Sequence, residues 1–123
     1  MRVHHIAIQV RDLERARAFY VDVLGLTETR RQAHSIWVDA DGTILMLEHA
    51  TDPAGPPPWK SATAGLHLLA LTIGANERAQ WKAKLSAAGA PIEGETGFTL
   101  YTRDSDGTRI GLSSYPAPSE DPR

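Results

Sequence analysis

The turn sequence Asp39-Ala40-Asp41-Gly42-Thr43 returns as Asp104-Ser105-Asp106-Gly107-Thr108, at an offset of 65. It is not alone. The alternating run HIAIQV (His5 to Val10) is matched by LLALTI (Leu68 to Ile73) at an offset of 63, and Gly25 by Gly89 at 64. A near-constant offset along a chain means one supersecondary unit used twice. With 123 residues, inside the roughly 100–200 usual for one domain, both copies are expected to share one compact domain.

Each copy reads as βαβββ. In Val3 to Val10, the residues His4, Ile6, Ile8 and Val10 alternate with His5, Ala7 and Gln9, the period of a strand with one buried face. Asp12 then caps a helix whose apolar stripe is Leu13, Ala16, Phe19, Tyr20, Val23 and Leu24, and Gly25 suits the left-handed position after it. Strands are expected around 27–32, 35–39 and 43–48, the last two joined by the Asp-Ala-Asp-Gly turn. After the Pro-, Gly- and Ala-rich stretch 51–64, which reads as a linker, the pattern restarts. A strand spans 65–73, and Asn76 caps a helix carrying Trp81, Leu85 and Ala88 that ends at Gly89. Strands follow around 91–95, 98–103 and 108–113.

The fold class is therefore α+β. Two tandem βαβββ modules (1–50 and 65–116) are expected to form a curved, partly closed mixed sheet, with helices on its outer face and a concave face left open, followed by a disordered tail at 117–123. The net charge of −2, with both signs interspersed, gives no field to gather nucleic acid or an anionic membrane. There is no cysteine, which removes disulfides, thiolate metal ligands and thiol nucleophiles. The opening MRVHHIAIQV is too short and too soon polar for a signal peptide, so a cytoplasmic protein is expected.

The stretches HHIAIQVRDLERARAFYVDVLGL, GLHLLALTI and RDSDGTRIGLSSYP resemble the vicinal oxygen chelate superfamily over residues 2 to 116. That superfamily includes glyoxalase I, extradiol dioxygenases, fosfomycin-resistance enzymes and bleomycin-resistance proteins. In its metal-using members, four concave-face positions hold one divalent ion: a His on the first strand, a carboxylate or His on the fourth, a His on the fifth and a Glu on the eighth. The resemblance places His5, Met46, Leu68 and Gly111 there. Only His5 carries a usual donor, since a thioether is soft and leucine and glycine offer none. His67 registers with His4, so alternation turns it toward the helix-covered face with Leu69, Leu71 and Ile73. Glu48, two residues beyond Met46, supplies a second oxygen donor, still short of the three protein ligands of a catalytic site.

No metal and no other cofactor is therefore expected. The reading is a metal-free small-molecule binding protein of the glyoxalase/bleomycin-resistance type, taking an aromatic or amphipathic ligand. Its cleft is lined by His5, Gln9, Trp37, Met46, Glu48, Leu68, Thr72, Tyr101, Gly111 and Ser113, with extra room at the glycine. The alternative is a metal-dependent lyase, isomerase or dioxygenase in which His5 and Glu48 are ligands, or a metal-independent enzyme in which either is the general base. A subunit whose function is dimerisation is a third class. The aspartate pairs lack the Glu at position 12 of a calcium loop and read as hairpin turns. Ser113 and Ser114 have no neighbouring base, and no Gly-rich phosphate loop exists. Trp59, at the end of GPPPW, caps the cleft, lies in an interface or packs on the domain's own surface. The resemblance implies a homodimer, with modules paired within one chain or between two.

Overall fold

The structure, a computed structural model, describes residues 1–55 and 57–120. The chain divides into two compact units, Met1–Pro57 and Pro58–Arg123, the boundary falling inside the expected linker. Pro56 and residues 121–123 of the expected tail lie outside the described residues.

Unit 1 contains β1 (His5–Val10), α1 (Leu13–Arg17) running on as a π-helical segment (Ala18–Val23), β2 (Thr27–Gln32), β3 (Ser35–Ala40) and β4 (Thr43–His49). The Asp12 carboxylate accepts from the Arg15 N–H at 3.1 Å, the expected N-cap. At the other end Gly25 takes a φ of +80°. Its sheet has the order β1-β4-β3-β2, with β1 parallel to β4 and the other pairs antiparallel. Alternation sorts Ile8, Val10, Ile36, Val38, Leu45 and Leu47 to one face, where they are buried with Ala16, Phe19 and Tyr20 of the helical segment. Each such aliphatic side chain contributes roughly 1.5–3 kcal/mol. The opposite face is left to His5, Ala7 and Gln9.

Unit 2 repeats the plan with β5 (Leu69–Thr72), α2 (Arg78–Ala87), β6 (Gly94–Glu95), β7 (Thr99–Arg103) and β8 (Arg109–Ser113), in the order β5-β8-β7-β6. Leu85, Leu100, Ile110 and Leu112 form its core. Asn76 is not the cap of α2: Glu77 holds that place, and its carboxylate accepts from the Gly74 N–H at 2.7 Å. Gly89, at φ +75°, closes a Schellman motif in which the Ala90 N–H donates to Leu85 C=O and the Gly89 N–H to Ser86 C=O. Of the expected tail, Ser119 N–H donates to Gly97 C=O and Glu120 N–H to Ala75 C=O, both at 2.8 Å, tying it to unit 2. Among the described residues no helix is long and apolar enough to cross a membrane.

The register repeats residue for residue. Ala7 pairs with Met46 and Ala70 with Gly111; Gln9 with Glu48 and Thr72 with Ser113; Trp37 with Met46 and Tyr101 with Gly111. The two turns differ, however. Asp41 (φ +52°) and Gly42 (φ +100°) make a two-residue turn between Ala40 and Thr43, the type I′ geometry that matches strand twist. In unit 2 the Asp104 N–H donates to Thr108 C=O across Ser105-Asp106-Gly107, with Gly107 at φ +87°, and Asp104 Oδ1 accepts from the N–H groups of Asp106 and Thr108. That loop is one residue longer. The offset between β3 and β7 is consequently 64 (Trp37 to Tyr101), while that between β4 and β8 is 65 (Met46 to Gly111).

Candidate functional site

On the open face of unit 1, β4 places Met46 and Glu48 between Ala7 and Gln9 of β1 and Trp37 and Ser35 of β3. The Trp37 ring lies 5.6 Å from the His5 ring and 6.0 Å from the Arg30 guanidinium. Its indole N–H is buried and has no hydrogen-bond partner among the described residues. An unmet buried donor is costly, and it asks for an acceptor. His5 in turn meets His4, with the two Nδ1 atoms 2.8 Å apart, so one ring donates and the other accepts. Next to this surface an open hollow of about 530 Å³ is lined by Met46, Glu48, Ser35, Gln32, His34 and His49, among others.

Unit 1 thus brings together His5 with Trp37, and Met46 with Glu48, but it does not bring His5 to Glu48. His5 pairs with Ile44, and the four residues from Ile44 to Glu48 span about 13 Å of strand. Among the described residues no group of three or more His, Asp or Glu could hold a metal ion.

The equivalent face of unit 2 is filled differently. Gly111 is buried, and the expected extra room is not there: a Cβ at this position would lie 3.3 Å from Thr99 Cγ2, 3.6 Å from Leu68 Cδ1 and 3.7 Å from Ala70 Cβ. Leu68 does face Gly111, as registered. The Ser113 hydroxyl oxygen accepts from Thr99 Oγ1 at 2.8 Å and from the Tyr115 N–H at 3.1 Å, so it is engaged within the unit. Thr72, its strand partner, is exposed.

Tyr101 carries the Arg109 guanidinium 4.2 Å from its ring, and the same guanidinium lies 4.3 Å from the Trp59 ring. Trp59 therefore packs on its own unit, with its indole N–H donating to His67 C=O at 2.7 Å. His67 departs from the expected side. Because β5 begins only at Leu69, strand alternation does not reach it; its Nε2 sits 3.3 Å from Arg109 Nη1 and its ring 5.0 Å from that of Trp59. Glu93 joins the cluster, bonding Arg103 Nε at 2.8 Å and Arg109 Nε at 3.0 Å. Burial pushes its carboxyl up, but the hydrogen bonds and charges of the two arginines outweigh this and hold it below its usual range. Sequence reasoning missed Arg103, Arg109 and Glu93. A signal was present: Arg103 and Arg109 are directly cross-strand, and like charges so placed call for a carboxylate nearby.

A family model described as Glyoxalase/Bleomycin resistance protein/Dioxygenase superfamily matches residues 2–112. The chain belongs to this superfamily. No curated protein sequence matches it. Among solved structures, a glyoxalase/dioxygenase from Nostoc punctiforme is 27% identical, with 90% of this chain and 88% of that one covered and a TM-score of 0.72. The fosfomycin resistance protein FosX from Listeria monocytogenes is 16% identical, covering 92% and 90% at a TM-score of 0.77. Glyoxalase I from Leishmania major is 23% identical, covering 92% and 86% at a TM-score of 0.72. These likenesses bear out the α+β fold with two βαβββ modules. The superfamily's divalent ion is a poor match to the residues at its four positions. His5 offers an imidazole; Met46, Leu68 and Gly111 offer a thioether and no donors.

Proposed function

We propose that this superfamily member is a small-molecule binding protein that works without a metal, taking an aromatic or amphipathic ligand on the open face of unit 1. The carrying observation is the cross-strand pairing of Trp37 with Met46, which together with Glu48 lines a hollow of about 530 Å³. An apolar floor with a few polar groups suits such ligands, and the volume lies within the roughly 300–1,000 Å³ of small-molecule sites. In this reading Trp37 stacks on the ligand, Met46 moulds to it, and Glu48, Gln9 and His5 orient its polar groups. Leu68, Gly111 and Ser113 pack within unit 2. The protein is a cytoplasmic homodimer in this proposal, and sedimentation as a monomer at micromolar concentration would remove that part of it.

A thermal-shift screen of the purified chain against aromatic natural products, thiol adducts and divalent metals tests the reading. Ligand at 100 times Kd adds about 2.7 kcal/mol to the native state. Aromatic compounds without a ring N–H are expected to raise the midpoint, and Trp37→Ala to abolish the rise. A rise with divalent metal alone, lost in His5→Ala, would overturn the proposal in favour of a metal-dependent lyase, isomerase or dioxygenase.

A further inference from the structure

In unit 2 two guanidinium groups are each held through Nε and Nη1, while an aromatic side chain from outside the sheet lies against their faces. Arg109 gives Nε to Glu93 and Nη1 to His67 Nε2; Arg103 gives Nε to Glu93 and Nη1 to Gly107 C=O at 3.1 Å. Glu93 thereby fixes both planes. What these planes offer a partner is their faces, which attract electron-rich rings through cation–π contact. Trp59 takes that offer, at 4.3 Å from Arg109 and 5.0 Å from Arg103, and its N–H reaches the His67 carbonyl.

Trp59 enters from the linker, at the end of GPPPW, not from a strand of the sheet. Among the described residues, one N–H bond and its stacks hold the ring. The platform of Tyr101, Arg103, Arg109 and the His67 carbonyl is complete without it. We propose that this platform is a binding site for planar heteroaromatic molecules bearing a ring N–H, of the indole class, and that Trp59 is its internal occupant, exchanged for the free ligand. Recognition is by stacking and by the one hydrogen bond to His67; a carboxylate on the ligand is not required. A tethered competitor acts at an effective concentration in the millimolar range, so removing it strengthens binding of the free ligand.

Indole itself is the probe. Trp59→Ala is expected to bind indole at least tenfold more tightly than the wild type, and N-methylindole, which lacks the N–H, at least tenfold less tightly than indole. Loss of binding in Arg109→Ala with retention in Trp37→Ala places the event in unit 2 and keeps it separate from the function proposed for unit 1. Equal affinity for indole and N-methylindole would reduce the site to an apolar hole left by truncation and overturn the proposal. A second arm needs no truncation at position 59. In Trp37→Phe/Trp81→Phe protein the Trp59 indole N–H resonance is expected to move toward its solvent position as indole saturates. A stationary resonance at millimolar indole would refute the exchange.

Discussion

Where β3 of unit 1 carries Trp37, β7 of unit 2 carries Tyr101, and each ring is met by an arginine: Arg30 at 6.0 Å, Arg109 at 4.2 Å. The neighbouring carboxylates separate the two cases. Glu93 bonds Arg109 and Arg103 on the same face as Tyr101. In unit 1 the matching acid, Glu28, pairs with Val38 and bonds Arg17 and Arg31 on the helix-covered face. A bulge between Glu28 and Arg30 brings Arg30 opposite Trp37, while Glu28, opposite Val38 before the bulge, points the other way.

Introducing a carboxylate at the two register-equivalent positions would break the comparison most sharply. Gly111→Glu is expected to destabilise by about 1–3 kcal/mol, since even its Cβ crowds Thr99, whose hydroxyl is bonded to Ser113 and resists rotation. Met46→Glu, half-buried beside an open hollow, is expected to cost less. Urea unfolding of the two variants measures the difference, and equal costs would show that the faces are packed alike.

A pH series tests the comparison of the two acids. Because Glu93 has its folded value held below its ordinary 4.5, its contribution is complete above about that pH and is lost as the pH falls through the lower folded value. Glu93→Gln should lower the unfolding midpoint at pH 7 and flatten its fall below pH 4.5. Glu28 is shifted the same way, chiefly by its hydrogen bond to Arg31, and its side chain is no more exposed than that of Glu93, so Glu28→Gln should give a change of similar size. A flattened profile in one variant alone would show that the ion pairs of the other acid contribute nothing to stability.

The smallest expected effects test the turns. Gly42→Ala and Gly107→Ala each force a Cβ into the left-handed region, costing about 1–2 kcal/mol at most. Asp41→Gly should be neutral or slightly stabilising, because Asp41 already sits at φ +52°. A stability loss in Asp41→Gly as large as that in Gly42→Ala would argue that the Asp41 side chain, and not the backbone, holds the turn.

Much of the architecture was legible because it rests on local rules. Alternation assigned His5, Ala7 and Gln9 to one face; Asp12, Gly25 and Gly89 marked helix ends; the Asp-x-Asp-Gly pairs marked turns. What escaped depends on neighbours distant in sequence. The space above Gly111 is set by Thr99 on an adjacent strand, and the side taken by His67 by how late β5 begins. Asn76 lost the cap because Glu77 could reach the Gly74 N–H. Of the candidate site, the His5–Trp37 contact and the Met46–Glu48 pair lie on the face that alternation assigned, whereas Trp59, Arg103, Arg109 and Glu93 form a cluster only once β6, β7 and the linker are in place.

The extra residue in the 104–108 loop also sets how material can be exchanged between the halves. Anyone grafting one half onto the other by aligning the two Asp-x-Asp-Gly-Thr sequences would carry Trp37 to position 102, onto buried Thr102, and turn the whole strand inside out. The grafting frame must change by one at the turn: 64 before it, 65 after it.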